Sequence, residues 1–93
     1  MIQSFGDRRT ERLFAREPVP SLDSCIIRVV LRKLRQIEAA CHLDDLRIPP
    51  GNRLELLRGN RAGRYSIRIN DQWRICFRWG DAGLEGVEIV DYH

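Results

Sequence analysis

The chain has 93 residues, of which 43% are hydrophobic and 31% are charged, and its formal net charge is +3. This length suits one domain around one core and is too short for two independently folding units. The cysteines are odd in number and form no CxxC pair, which argues against a disulfide framework and a zinc site. No apolar run approaches membrane-spanning length and no signal peptide is recognised, so we expect a cytoplasmic protein.

The first half of the chain predicts a short strand followed by two helices. Residues 2–5 are strand-like, and Asp7 is expected to cap the first helix. Ser21 is predicted to cap a longer helix, because apolar residues recur at helical spacing as far as Cys41. Residues 49–52 read Pro-Pro-Gly-Asn, which predicts a rigid connection rather than a domain boundary.

The second half changes to an apolar period of two, which is typical of strands. Turn-forming residues separate the apolar alternations at 59–63, 70–72 and 80–86, so four strands in a largely antiparallel meander are predicted. The predicted fold is α+β with two layers, in the order β-α-α-β-β-β-β, as one domain over residues 1–93. The two helices cover one face of the sheet, and the other face is left open.

Arginines alternate with apolar residues in two of these strands. Pairing the apolar residues across the strands places Arg68 opposite Arg74 and Arg64 opposite Arg78. Like charges directly opposite each other destabilise a sheet, so this grid of four arginines predicts an anionic ligand. The alternative is that the arginines only point into solvent.

Positive charge is concentrated between Arg53 and Arg78, where seven arginines accompany only Glu55 and Asp71 as acids. A local basic field suits a polyanionic partner, and guanidinium groups are well suited to phosphate contacts. The predicted RNA-binding residues are Arg53, Arg58, Arg61, Arg64, Arg68 and Arg78.

The sequence ends on three side chains that can handle protons, Asp91, Tyr92 and His93. Cleavage of RNA through the 2′-hydroxyl needs a base, an acid for the departing oxygen, and cations for the phosphorane charge. His93 titrates near neutrality, while Tyr92 can donate a hydrogen bond or stack on a base. Beside the arginines, this tail predicts RNA cleavage without a metal or cofactor; an uninvolved strand end is the alternative.

Several fragments resemble the HigB branch of the RelE/ParE toxin superfamily. They are Met1-Ile2-x-Ser4-Phe5, Arg58-Gly59-Asn60-Arg61-x-Gly63-x-Tyr65-Ser66-Ile67, Asn70-Asp71-Gln72-Trp73-Arg74-Ile75-Cys76-Phe77 and Asp91-Tyr92-His93. The stretch Pro49-Pro50-Gly51-Asn52-Arg53-Leu54-Glu55 is similar to the GraT-type members. Each fragment alone is weak, but the resemblance covers the whole chain and the order of the fragments is specific.

The resemblance implies a small RNase-like domain that cuts messenger RNA in the ribosomal decoding site and arrests bacterial growth. It implies a helix-turn-helix antitoxin as the inhibiting partner, and no homo-oligomer is expected without that antitoxin. Arg74 matches the arginine that stabilises the cleaved phosphate. Asp91, Tyr92 and His93 match the tail that handles protons and positions the base.

Glu55 is a departure from the pattern of relatives, because some HigB toxins carry a histidine there. Glu55 is predicted either to act as a base or, as we favour, to pair with Arg53 or Arg58; a weaker nuclease is the third interpretation. Arg58 stands where relatives often carry lysine.

Two other functions stay open at this point. A ParE-like gyrase poison shares the scaffold, although it has no need of a tail that ends in histidine beside an arginine face. A noncatalytic RNA-binding module is also compatible with a basic sheet face.

Overall fold

The structure is a computed structural model that describes residues 1–59 and 63–91. Two helices, α1 (Arg8–Phe14) and α2 (Ser24–Ala39), are followed by two 3-10 helices, Leu43–Arg47 and Pro50–Asn52. The strands are β1 (Glu55–Leu56), β2 (Tyr65–Arg68), β3 (Trp73–Gly80) and β4 (Gly83–Asp91). They form one antiparallel sheet in the order β1-β2-β3-β4. The predicted α+β architecture is confirmed.

The core fills the space between the helices and one face of the sheet. Its apolar side chains alternate along β2 and β3, as the period of two predicts. Along β4 the alternation shifts between Leu84 and Val87, where the pairing with β3 is irregular. Fully buried members include Leu13, Val30, Leu34, Ile37, Ile67, Ile75, Phe77, Leu84 and Val87. No helix among the described residues is long and apolar enough to cross a membrane.

Both helices begin at an aspartate cap. The Asp7 carboxylate accepts a hydrogen bond from the Thr10 amide at 2.7 Å, as predicted for α1. The predicted Ser21 cap of α2 is wrong, because the Asp23 carboxylate accepts from the Cys25 amide at 2.7 Å. Helix α2 therefore begins at Ser24, two residues later than a cap at Ser21 predicts.

The predicted first strand is present only as two isolated bridges. Ile2 bridges Leu84 and Phe5 bridges Val87, both in parallel orientation. Residues 2–5 therefore lie along the outer edge of β4, where they pair part of its exposed backbone. Covering a sheet edge in this way protects it from pairing with another chain.

The side chain of Thr10 also binds a backbone group of β4. The Ile89 amide donates to the Thr10 hydroxyl at 3.0 Å, and both residues are buried. Helix α1 is thereby fixed to β4 two residues before the strand ends at Asp91.

We expect Thr10→Val to destabilise the fold, because valine keeps the side-chain shape but leaves the buried Ile89 amide without its acceptor. The loss in the free energy of unfolding should be about 1–3 kcal/mol. Urea denaturation measures this, and Thr10→Ser, which keeps the hydroxyl, is the control. A valine variant as stable as the serine variant would show that this hydrogen bond contributes little.

The β3–β4 turn is tighter than the predicted turn over residues 80–86. Strand β3 continues to Gly80, and β4 begins at Gly83. Gly83 has φ +140°, and a Cβ atom there would lie 2.0 Å from the Met1 carbonyl oxygen. Glycine at this position thus allows the first residue of the chain to approach β4.

Candidate active site

The centre of the sheet face that is predicted to be open follows the predicted register. Arg68 lies opposite Arg74, and Ser66 lies opposite Cys76. The next row across the sheet reads Glu55, Ser66, Cys76 and Glu88 from β1 to β4. A row with a carboxylate at each end therefore lies beside the row that contains the two arginines.

The pairing predicted for Arg64 and Arg78, the outer pair of the arginine grid, is not observed in the described ladder between β2 and β3. Strand β2 begins at Tyr65, so Arg64 lies outside it. An irregularity between Cys76 and Arg78 shifts the pairing of β3 with β4, and Arg78 lies opposite Glu85. The predicted pairing of Arg64 with Arg78 is absent from the described β2–β3 ladder.

The centre of the sheet face that the sequence predicts to be open is in fact buried: Arg74 is only 8% exposed, and Ser66 and Cys76 are fully buried. The Arg74 Nε donates to the Ser66 hydroxyl at 2.7 Å, and its Nη2 donates to the Arg53 carbonyl at 2.7 Å. The guanidinium is planar and its donors have fixed directions, so two such bonds define its orientation. Arg74 is therefore a cation held in place before any ligand arrives.

Two other arginines of this face, Arg64 and Arg68, are paired with carboxylates. The Arg64 Nη1 lies 3.0 Å from the Glu88 carboxylate, and Arg68 forms an ion pair with Asp71. Acids of the protein therefore balance the charges of Arg64 and Arg68, so opposed arginines do not by themselves require a bound anion, and an anionic ligand stays a prediction. The assignment of the arginines to RNA binding stays a prediction.

Glu55 forms an ion pair with Arg74, whose Nη2 lies 3.9 Å from the Glu55 carboxylate. The predicted partners Arg53 and Arg58 are replaced by this arginine in the described structure. The side chain of Glu55 is 56% exposed, so solvent weakens the ion pair. Glu55 is thus placed where a ligand bound at Arg74 would meet a carboxylate.

The structure describes three of the four other arginines that are predicted to contact RNA. Arg53, Arg58 and Arg78 are exposed, and Arg61 lies outside the described residues. Arg53 has a left-handed backbone, with φ 46° and ψ 57°, a conformation that is uncommon for a residue other than glycine. Its carbonyl is the acceptor that holds Arg74.

Asp91 is the last residue of β4 and lies opposite Trp73. Its carboxylate accepts from the side-chain amide nitrogen, Nε2, of Gln72 at 3.1 Å. Because side chains alternate along a strand, Asp91 belongs to the helix side of the sheet, whereas Arg74 belongs to the other side. The structure therefore separates these two predicted site residues by face, and Tyr92 and His93 lie outside the described residues.

Three buried residues that the sequence did not assign to the site are Ser66, Lys33 and Asn52. Ser66 accepts from Arg74, and Lys33 donates to the side chain of Asn52. The sequence contained one signal, because Lys33 is the only lysine among sixteen cationic residues. Burial lowers the pKa of Lys33, and the nearby charges of Arg32 and Arg68 lower it further.

Residues 1–59 and 63–91 contain no cluster of three or more His, Cys, Asp or Glu side chains that could hold a metal ion. Its three cysteines are unbridged, with Cys25 and Cys41 exposed and Cys76 buried.

Comparison with known proteins identifies the family. The profile of the RelE-like toxins of type II toxin-antitoxin systems, HigB, matches residues 3–93. The chain belongs to the HigB family of toxins. This confirms the resemblance drawn from the sequence fragments, while the closer link to GraT-type members stays a prediction.

Two curated relatives span nearly the whole of this HigB-family chain. Toxin HigB-1 of Vibrio cholerae is 43% identical over 93 residues, which cover 99% of this chain and 94% of the relative. Endoribonuclease HigB of Proteus vulgaris is 30% identical over an alignment that covers 100% of both chains. Both alignments therefore extend over nearly the whole of this chain.

A solved structure supports the fold independently. The chain is similar to a chain in the YoeB-YefM complex from Staphylococcus aureus, with a TM-score of 0.63 and 16% sequence identity. The match covers 100% of this chain and 98% of that one. At this identity the likeness establishes the RelE-like fold.

Proposed function

We propose that this HigB-family toxin is a metal-independent endoribonuclease that cleaves messenger RNA on the ribosome. The observation that carries the proposal is Arg74, a buried arginine that two hydrogen bonds fix in the sheet. Developing negative charge is stabilised best by a cation that needs no rearrangement during the reaction. The relative from Proteus vulgaris named Endoribonuclease HigB supports this reaction class.

The proposed roles follow from the chemistry of each group. Arg74 stabilises the charge that develops on the scissile phosphate. His93 and Tyr92 handle the protons of the attacking 2′-hydroxyl and the departing 5′-oxygen, and Asp91 orients the tail. The exposed arginines contact the RNA backbone, where each guanidinium can bind a phosphate.

The position of Arg74 in the sheet supports the participation of the tail. Arg74 is the second residue of β3 and lies opposite Val90 of β4. Strand β4 ends one residue later at Asp91. Asp91 therefore lies at the same end of the sheet as Arg74, and Tyr92 and His93 follow it in the sequence.

Glu55 is proposed to act on Arg74 as an ion-pair partner rather than as the base. We expect Glu55→Gln to retain cleavage within about tenfold of the wild-type rate, because loss of a general base would cost about 10² or more. Single-turnover cleavage by the purified protein on programmed ribosomes measures this. A loss of 10² or more would assign the base to Glu55.

Dependence on the ribosome follows from the size of the toxin. A domain of 93 residues offers little surface to align RNA by itself, so alignment must come from a message that is already held in place. Mapping of 5′ ends after brief expression should show in-frame cuts within translated codons, and naked RNA should be nearly inert. Efficient cutting of naked RNA by the pure protein would contradict this mechanism.

The proposed partners are a helix-turn-helix antitoxin, the ribosome and messenger RNA, and the proposed location is the cytoplasm. The family consists of toxins from type II toxin-antitoxin systems, and the structural relative comes from the YoeB-YefM complex. A short helix-turn-helix reading frame next to this one, whose product purifies with the toxin and suppresses cleavage, is the expected observation. A DNA-damage response without cleavage of messages would instead favour a gyrase poison.

A further inference from the structure

The anchor of the Arg74 guanidinium is a backbone carbonyl whose position depends on an unusual turn. Arg53 is the C-cap of the 3-10 helix Pro50–Asn52, and its backbone amide donates to the Pro50 carbonyl at 3.1 Å. The left-handed conformation of Arg53, with φ 46°, directs its carbonyl to Arg74. Any change in this turn would therefore move one of the two acceptors that orient the guanidinium.

Asn52 fixes the turn from the inside of the protein. It is fully buried, and its amide nitrogen donates to the Leu46 carbonyl at 3.1 Å and to the Gln36 side chain at 3.3 Å. Its side-chain oxygen accepts from the ammonium group of Lys33. The side-chain oxygen and nitrogen of Asn52 thus both form hydrogen bonds, which connect it to α2 and to the 3-10 helix Leu43–Arg47.

Lys33 donates this hydrogen bond to Asn52 at an energetic cost, because its charged ammonium group is buried. It is only 8% exposed on α2, and in the described part of the chain no carboxylate forms an ion pair with it. Arg32 and Arg68 add positive charge nearby. A buried ammonium without a carboxylate opposes folding, so its presence needs a reason other than stability.

We propose that Lys33 and Asn52 are positioning residues that orient Arg74 through the Arg53 carbonyl. Lys33 holds the side chain of Asn52, Asn52 holds the turn, and the turn presents the carbonyl to the guanidinium. The consequence for RNA cleavage rests on the proposed function. The orientation of Arg74 is independent of the proposed function, and it can be measured without an activity assay.

The direct experiment follows the Nε–H group of Arg74 by nitrogen-15 NMR, with its signal assigned by its disappearance in Arg74→Lys. In Lys33→Met, which keeps the length of the side chain and removes the donor, exchange of this proton with water should be at least about tenfold faster than in wild type. Ile37→Val truncates the core one turn along α2 and should leave this exchange unchanged. Equal protection in wild type and folded Lys33→Met would overturn the proposal.

Lys33→Gln is the second variant, because it keeps an amide donor at this position and is the milder change. In Lys33→Gln the Arg74 Nε proton should exchange with water more slowly than in Lys33→Met. If Lys33→Met does not fold, Lys33→Gln is the variant that is compared with wild type. Protection in Lys33→Gln that falls to the level of exposed arginines still supports positioning by Lys33. If every folded Lys33 variant equals wild type, the proposal is wrong.

Cleavage on programmed ribosomes gives the functional readout. Lys33→Met should lower kcat by about 10- to 100-fold with KM nearly unchanged, because a misplaced catalytic group affects the transition state and not docking. In an Arg74→Ala background the same change should alter the rate by no more than about twofold. Equal losses in both backgrounds would overturn action through Arg74.

The two possible failures are distinguishable. If the wild-type protein does not cleave messages, the proposed function fails, while the exchange of the Arg74 proton still tests the positioning. If the wild type cleaves and Arg74→Ala does not, but folded Lys33→Met cleaves at the wild-type rate, only the positioning proposal fails.

Discussion

Arg74→Ala is expected to remove the toxicity of this protein. The substitution deletes a fixed cation from the developing charge of the transition state, which typically slows the reaction by about 10² to 10³, equivalent to about 3 to 4 kcal/mol. The structure supports a large effect, because the guanidinium is buried and oriented by Ser66 and Arg53. The measurement is single-turnover cleavage on ribosomes, together with growth after induction.

Arg78→Ala is the matched control for charge. Arg78 belongs to the same strand but is exposed, and it lies opposite Glu85. Its removal should therefore weaken RNA contact and reduce toxicity less than Arg74→Ala. Equal toxicity of Arg74→Ala and wild type at matched protein levels would show that the active face is elsewhere.

Stability must be measured for the Arg74 variant as well. Alanine leaves the buried Ser66 hydroxyl without this donor, and an unsatisfied buried group costs about 1 to 3 kcal/mol. Arg74→Lys separates the two effects, because lysine keeps the charge but lacks the planar fork that reaches both acceptors. A lysine variant that folds but cleaves slowly would show that orientation matters in addition to charge.

Deletion of His93 is expected to have the second large effect. If His93 transfers a proton, its removal should slow single-turnover cleavage by about 10² or more while ribosome binding is retained. The core residues of the sheet stay in place, so the free energy of unfolding should barely change. The control is ribosome binding by the deleted protein, measured by co-sedimentation.

Tyr92→Phe tests the neighbouring residue separately. If the phenol only stacks on a base, phenylalanine should retain most of the activity, because the aromatic face is kept. If the phenol donates a proton or a hydrogen bond, the rate should fall as it does for the His93 deletion.

Wild-type cleavage by the His93 deletion would contradict the proposed role of the tail. Glu55 would then be the remaining candidate base, since its carboxylate lies 3.9 Å from the Arg74 guanidinium and is more than half exposed. The Glu55→Gln variant would in that case lose activity.

The sequence by itself determined the architecture and the central register of the sheet. Helical spacing defined α1 and α2, and alternation defined β2 and β3, because both patterns reflect which side of an element is buried. Parity then required Arg68 to lie opposite Arg74 once Ile67 was paired with Ile75. The Asp7 cap was also predictable, since a cap depends on residues within one turn of the helix.

Only the tertiary structure decided how the candidate site is held together. The contact of Arg74 with the Arg53 carbonyl joins residues 21 positions apart, and the Lys33–Asn52 bond spans 19 positions. The pairing of Arg64 with Glu88 spans 24. No local period encodes such contacts, because they depend on where separate elements meet after the core has packed.

The same reason explains the edge of β4. Strand propensity identified residues 2–5 as extended, but it could not specify that they would bridge β4 in parallel or that Thr10 would bond the Ile89 amide. Local sequence determines which backbone groups need a partner. Which distant residue supplies that partner is decided when the helices pack on the sheet, because only then do the donor and the acceptor come within hydrogen-bonding distance.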